Sequence, residues 1–89
     1  MYGEVKRKIV KITALWCNSC LVMNRIFNDF VKDKDIEVLS LDYDMDDIEE
    51  YNVGDILPVF IFMKDGKEVK RLVGEHKKEE FIKAVEKVL

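Results

Sequence analysis

Two cysteines stand three positions apart in the segment Trp16-Cys17-Asn18-Ser19-Cys20, and the chain has no others. A single pair is too little to staple a small fold, and at this spacing it cannot tie distant segments together. The pair therefore points to chemistry or to metal, because a thiolate is both the nucleophile of disulfide exchange and a zinc ligand. Zinc normally takes four ligands, and the sequence offers one histidine, His76. A metal site would need His76 with a carboxylate, or a second chain. Location favours exchange, since the motif falls where a strand gives way to a helix. The first turn of a helix presents unpaired N–H groups and the positive end of the macrodipole, and both stabilise a thiolate. Cys17 is expected at the exposed lip as the nucleophile. Cys20, one turn further in, is expected to resolve the mixed disulfide.

The elements that must hold this motif follow from periodicity. Residues 8–14 (Lys-Ile-Val-Lys-Ile-Thr-Ala) are rich in β-branched side chains and too short for a helix, so they read as a strand buried on both faces, broken only by Lys11. From Asn18 the series Met23, Ile26, Phe27, Phe30 recurs at helical spacing, which predicts a helix to about Val31 with Leu21, Met23, Ile26 and Phe27 in the core. Residues 36–42 form a second strand, and strand–helix–strand at this length implies a parallel pair with a right-handed crossover. Asp44 to Tyr51 is acidic and could form a short helix. Val59 to Met63 is continuously apolar and reads as a central strand, Asp65-Gly66 as a hairpin turn, and 68–73 as a more polar edge strand. Residues 77–89 read as a closing helix with Phe81, Ile82, Val85, Val88 and Leu89 apolar. The expected order is β-α-β-(α)-β-β-α: an α/β fold with a four-stranded mixed sheet and helices on both faces.

Length and composition bound the rest. Eighty-nine residues make one small domain, 1–89, and 48 % hydrophobic content with four Gly and one Pro excludes a disordered or low-complexity chain. No apolar run approaches the ~18 residues of a membrane span. The net charge of −3 argues against a nucleic-acid partner. The polar start Met1-Tyr2-Gly3-Glu4-Val5-Lys6 lacks the apolar stretch of a secretory signal, so a whole cytoplasmic protein is expected, as a monomer.

Several further matches follow one another along the chain: Ala14-Leu15-Trp16-Cys17-Asn18-Ser19-Cys20, Tyr51-Asn52-Val53 ahead of Ile56-Leu57-Pro58, Phe62-Met63-Lys64-Asp65-Gly66, and Val73-Gly74. In order and spacing they resemble the thioredoxin family over about residues 8–89, without the N-terminal strand and helix of a full thioredoxin. The resemblance implies a minimal thioredoxin-like fold. It implies a thiol–disulfide oxidoreductase that reduces protein disulfides through Cys17 and Cys20, binds no cofactor or metal, and takes its electrons from a reductase. It also implies a substrate groove of Trp16, Leu57, Pro58, Val73 and Gly74. Within that groove Trp16 is a surface ring beside Cys17, and the Leu57–Pro58 bond is cis and faces the cysteines. By itself a strand-opening proline would be trans. Trp16 and Leu57 resemble thioredoxins more than glutaredoxins, and a lone Gly74 does not make a glutathione signature.

Three departures from the family pattern stand out. Asn18-Ser19 is not the Gly-Pro of thioredoxin, so the reduction potential is open. One extra residue lies between Tyr51 and Pro58. Lys11 falls where the family has a buried Asp beneath the cysteines. There it either tunes the cysteines or moves protons, or else it points outward or pairs with Asp42. The carboxylates of Asp42, Asp44, Asp46, Asp47, Glu49 and Glu50 lack calcium-loop spacing and read as a solvated helix face. His76 reads as a cap or surface residue. The two rival functions are a redox-sensing interaction module without catalysis and a metal-binding CxxC protein.

Overall fold

A computed structural model describes residues 6–88. The strands are β1 (Arg7–Thr13), β2 (Glu37–Asp42), β3 (Val59–Lys64) and β4 (Lys67–Val73), and the helices are α1 (Asn18–Val31) and α2 (Lys78–Val88). The sheet order is β2-β1-β3-β4. β2 runs parallel to β1, as the crossover through α1 requires, while β3 is antiparallel to both β1 and β4. The β3–β4 hairpin turns on Asp65 (φ 53°) and Gly66 (φ 83°), two positive-φ residues of the kind a right-twisted two-residue turn demands. Leu89, placed in the closing helix by its sequence, lies outside the described residues.

Alternation along the central strands divides the core in two. On one face Ile9, Phe60 and Phe62 meet Met23, Phe27 and Phe30 of α1 and Phe81 and Val85 of α2. Phe81 is the hub, with ring centroids 5.2 Å from Phe60, 5.8 Å from Phe30 and 6.2 Å from both Phe27 and Phe62. On the other face Val10, Ile12, Val59 and Ile61 pack with Ala14, Cys17, Cys20 and Leu57, beneath Leu41, Tyr43, Ile48, Tyr51 and Val53.

The helices on the two faces are therefore unequal. Both α-helices cover the first face, and the second carries a single 3-10 turn, Glu49–Tyr51, where the sequence allowed a helix from Asp44. Side-chain carboxylates explain the difference. Asp42 accepts from the backbone N–H groups of Asp44 (2.9 Å) and Met45 (3.0 Å), Asp46 from that of Asp42 (2.7 Å), and Asp47 from that of Glu49 (3.1 Å). These bonds offer the backbone an alternative to the helical ladder. Arg71 on β4 fastens the segment by donating to the Asn52 carbonyl (3.4 Å) while it grips Glu68.

One core assignment is corrected. Met23 and Phe27 are buried and Ile26 is partly so, but Leu21 is exposed, as is Val22. The buried stripe of α1 is Cys20, Met23, Phe27, Phe30, and Leu21 lies about 100° round the helix from Cys20.

Candidate active site

The C-terminal ends of β1 and β2 lie side by side, with Thr13 opposite Asp42, and the Tyr43 N–H continues the pairing by donating to the Thr13 carbonyl (2.8 Å). The chain leaving β1 turns sharply, the Cys17 N–H donating to the Ala14 carbonyl (3.2 Å), and enters α1. Cys17 is the N-cap residue in extended conformation (φ −96°, ψ 106°), and its Sγ accepts from the Cys20 N–H at 3.2 Å. A sulfur thus takes the place usually held by a Ser or Asp oxygen, on one of the orphan donors of the first turn. In this position a thiolate receives a charge-assisted hydrogen bond.

Both cysteines are free thiols, and their access differs less than the sequence led one to expect. Cys17 is 7 % exposed and Cys20 is 1 % exposed, so Cys17 is nearly covered rather than set on an open lip. The cause is packing of the N-cap against Ala14 and Leu57. The Cys20 thiol is pushed up to about 12, mainly by burial and then by its hydrogen bond to Cys17, with Ala14 and Lys11 acting the other way. Cys20 therefore holds its proton firmly at neutral pH.

Leu57 shares one buried cluster with the two cysteines, and Trp16 directly precedes Cys17. The Leu57–Pro58 peptide is cis, and Leu57 is buried against the cysteine cluster. The Pro58 carbonyl accepts from the Gly74 N–H at 2.8 Å, which ties the end of β4 to the proline loop. Gly74 has φ 85°, a conformation that disfavours any side chain, and a Cβ there would stand 3.5 Å from Ile56 Cγ2. Val73 pairs with Val59 and is exposed. Trp16 is 60 % exposed. Its indole N–H donates to Asp44 Oδ2 at 2.7 Å, and its ring meets Tyr43 edge-on at 6.0 Å.

Asp44 and Tyr43 hold Trp16, contacts that the sequence reading missed, Asp44 having been taken as part of a solvated face. A signal existed: both follow the C-terminal end of the strand parallel to β1, the edge where open α/β sheets place their sites. Lys11 makes no ion pair with Asp42. Its ammonium lies 5.2 Å from the centroid of the Phe27 ring. Among the described residues no three His, Cys, Asp or Glu side chains come together to hold a metal ion. A cleft of about 630 Å³ along α1, lined by Arg25, Asp29, Lys32 and Lys78, lies apart from the cysteines.

Residues 3–87 match the thioredoxin family. The chain belongs to that family. It is 40 % identical over 78 residues to thioredoxin H-type 1 of Nicotiana tabacum, covering 83 % of this chain and 60 % of that one. With thioredoxin H3 of Arabidopsis thaliana it shares 39 % identity over 90 residues, covering 96 % of this chain and 74 % of the relative. It thus spans about three fifths of the tobacco protein's length, and 62 % of that of a Picea mariana H-type thioredoxin. The reduced thioredoxin pre-protein of Schistosoma mansoni superposes with a TM-score of 0.81 at 24 % identity, over 94 % of this chain and 80 % of that one, which speaks to the fold alone. Fasciola hepatica thioredoxin gives 0.81 at 25 % identity, over 92 % and 80 %. Among the described residues of this thioredoxin-family chain, no helix is long and apolar enough to cross a membrane.

Proposed function

We propose that this chain works as a single-domain, monomeric thiol–disulfide oxidoreductase that reduces protein disulfides in the cytoplasm. The observation that carries the reading is the asymmetry of the dithiol: Cys17 caps α1 and accepts the Cys20 N–H, while Cys20 lies deeper and keeps its proton. The Cys17 thiolate attacks one sulfur of the substrate disulfide. A Cys17–substrate disulfide forms and the other substrate sulfur leaves with the electron pair, to be protonated by solvent. Cys20 then loses its proton and attacks Cys17 Sγ. The Cys17–Cys20 disulfide forms, and the second substrate sulfur leaves as a thiol. The substrate gains two electrons and two protons, which a partner that reduces the Cys17–Cys20 disulfide, a reductase, must restore to the protein. Trp16, Leu57, Pro58, Val73 and Gly74 form the surface on which the substrate strand lies beside its disulfide.

The roles separate in a trapping experiment. Cys20→Ser accumulates covalent complexes with substrate proteins on non-reducing gels, because the resolving thiol is gone. Cys17→Ser traps almost nothing, because the remaining sulfur is shielded. Both variants lose insulin-disulfide reduction. If neither variant traps partners and the parent protein does not reduce insulin, the chain is a redox-sensing module. If Cys17→Ser traps more than Cys20→Ser, the two roles are reversed.

A further inference from the structure

The outer face of α1 carries a row of residues that begins at the dithiol. Cys17, Leu21, Arg25, Asn28 and Lys32 follow one another at steps of four and three, so they fall within one stripe about 80° wide, each above the last. The buried stripe of Cys20, Met23, Phe27 and Phe30 lies on the other side of the helix. A helix face turned to water is ordinarily polar. Here its first turn is apolar, with Leu21 65 % exposed and Val22 beside it 47 % exposed. A single surface aliphatic needs no explanation, but these two line a cleft of about 280 Å³ together with Arg25. Arg25 also lines the cleft of about 630 Å³ described above, so the two adjoin in one groove along α1.

The far end of this groove is cationic. Arg25, Lys32 and Lys78 are exposed and meet one carboxylate, Asp29, which Lys32 (3.3 Å) and Lys78 (3.8 Å) share. Among the described residues Arg25 has neither an ion pair nor a hydrogen bond. Positive charge thus gathers here in a chain whose net charge is −3. A matching occupant is apolar at the cysteine end and anionic at the other. A small anion would engage the cations and leave Leu21 and Val22 bare, whereas a polypeptide supplies both. A second copy of this chain is a poor occupant. In its acidic stretch Asp42, Asp46 and Asp47 are held by N–H groups of their own loop, and Asp44 is held by Trp16.

We propose that the groove along α1 docks the disulfide-bearing substrate protein through an acidic segment next to the attacked cysteine: an aliphatic side chain seats on Leu21 and Val22, and Asp or Glu side chains beyond it face Arg25, Lys32 and Lys78. The inference rests on the oxidoreductase reading above and adds a substrate class to it. Because the row starts at Cys17, a substrate can occupy the groove while its disulfide is attacked. Leu21 lies about 6 Å along the axis from Cys17, and Lys32 about 16 Å from Leu21. An extended chain covers these spans with about two and five residues. Exposed charge pairs contribute modestly one by one and act largely on the rate of encounter, so the surface selects among substrates and leaves the exchange step as it is.

The test is single-turnover mixing of the reduced protein with two synthetic peptides. Each has one cysteine in a mixed disulfide with a small neutral thiol, a Leu two residues away and five charged residues beyond it, with the same flank on both sides so that chain direction does not matter. One peptide carries Asp and Glu, the other Lys. Rates are divided by those with dithiothreitol, which removes the effect of each flank on its own disulfide. At low ionic strength the acidic peptide should react about tenfold faster, and the ratio should fall towards one in 0.5 M salt. The net charge of −3 alone would give the opposite order. Arg25→Glu should abolish or invert the preference. Leu21→Ser should remove the advantage, about threefold, of the peptide Leu over a Ser at the same place. Equal rates in the parent, a preference for Lys, or a preference that Arg25→Glu leaves in place overturns the proposal while leaving the exchange chemistry intact. So does a preference that vanishes as the protein is concentrated and self-associates, since a second copy then takes the groove. If the parent reduces neither peptide, the oxidoreductase reading fails and this inference with it.

Discussion

The face of the sheet under α1 and α2 is closed by interlocking phenylalanine rings, whereas the face under residues 43–57 is closed by aliphatic side chains, Tyr43 and Tyr51, and a loop tied by its own carboxylates. The first arrangement buries large side chains completely and leaves few polar groups to satisfy. The second is held by local polar bonds, and its open end carries the cysteines, Trp16 and the proline loop. Stability and chemistry are thus drawn mainly from opposite sides of one sheet. β1 belongs to both, sending Ile9 to one core and Val10 and Ile12 to the other.

The sharpest way to break this division is at the hub of the rings. Phe81→Ala should destabilise the protein by about 3–5 kcal/mol, as expected for removal of a fully buried Phe that leaves a cavity. Denaturant unfolding measures the loss, and thiol reactivity of the fraction still folded should be unchanged. A loss below ~1 kcal/mol would mean that the rings do not carry the stability assigned to them.

An intermediate effect is expected on the loop side. Asp42→Ala removes the acceptor of two backbone N–H groups and should cost about 1–2 kcal/mol. Because Asp44 follows directly and holds the Trp16 indole, the same variant should also loosen Trp16, read as a change in its fluorescence. Unaltered stability and fluorescence would show that the loop needs no such bonds.

At neutral pH the smallest effect belongs to Cys20, because its contribution changes only in alkali. Its folded-state value lies near 12, above the value of 9.0 for a free thiol, so the folded protein retains a proton that the unfolded chain gives up. Stability from this source is complete below pH 9 and is lost as pH rises towards 12. The stability difference between the reduced protein and Cys20→Ala should therefore shift against the reduced protein over that window. A difference that stays constant with pH would remove burial as the cause.

Much of the plan was legible in the residues themselves. β-branched runs gave the strands, the 3.6-residue recurrence of Met23, Phe27 and Phe30 gave α1, and Asp65-Gly66 gave the hairpin, because these signals depend on local backbone geometry and on the period of an element. Cys17 and Cys20 were legible for the same reason, since their spacing and their place at a strand–helix junction are local properties. The 44–51 segment was not, because its acidic residues fit a helix's first turn as well as they fit turns capped by their own side chains. Burial at Leu21 could not be read either: helical spacing tells which residues share a face but not how far round the helix its neighbours reach.

The sequence by itself determined the elements, their order and the dithiol. Only the tertiary structure decided that Asp44 holds Trp16, that Cys17 is nearly covered, that both α-helices pack on one face, and that Lys11 meets Phe27 without a carboxylate to pair with. These relations join residues 16 or more positions apart or depend on how much of a side chain its neighbours cover. They arise when the parallel ends of β1 and β2 come together and α1 settles on the sheet, and no local pattern encodes the charge, access or proton affinity that results.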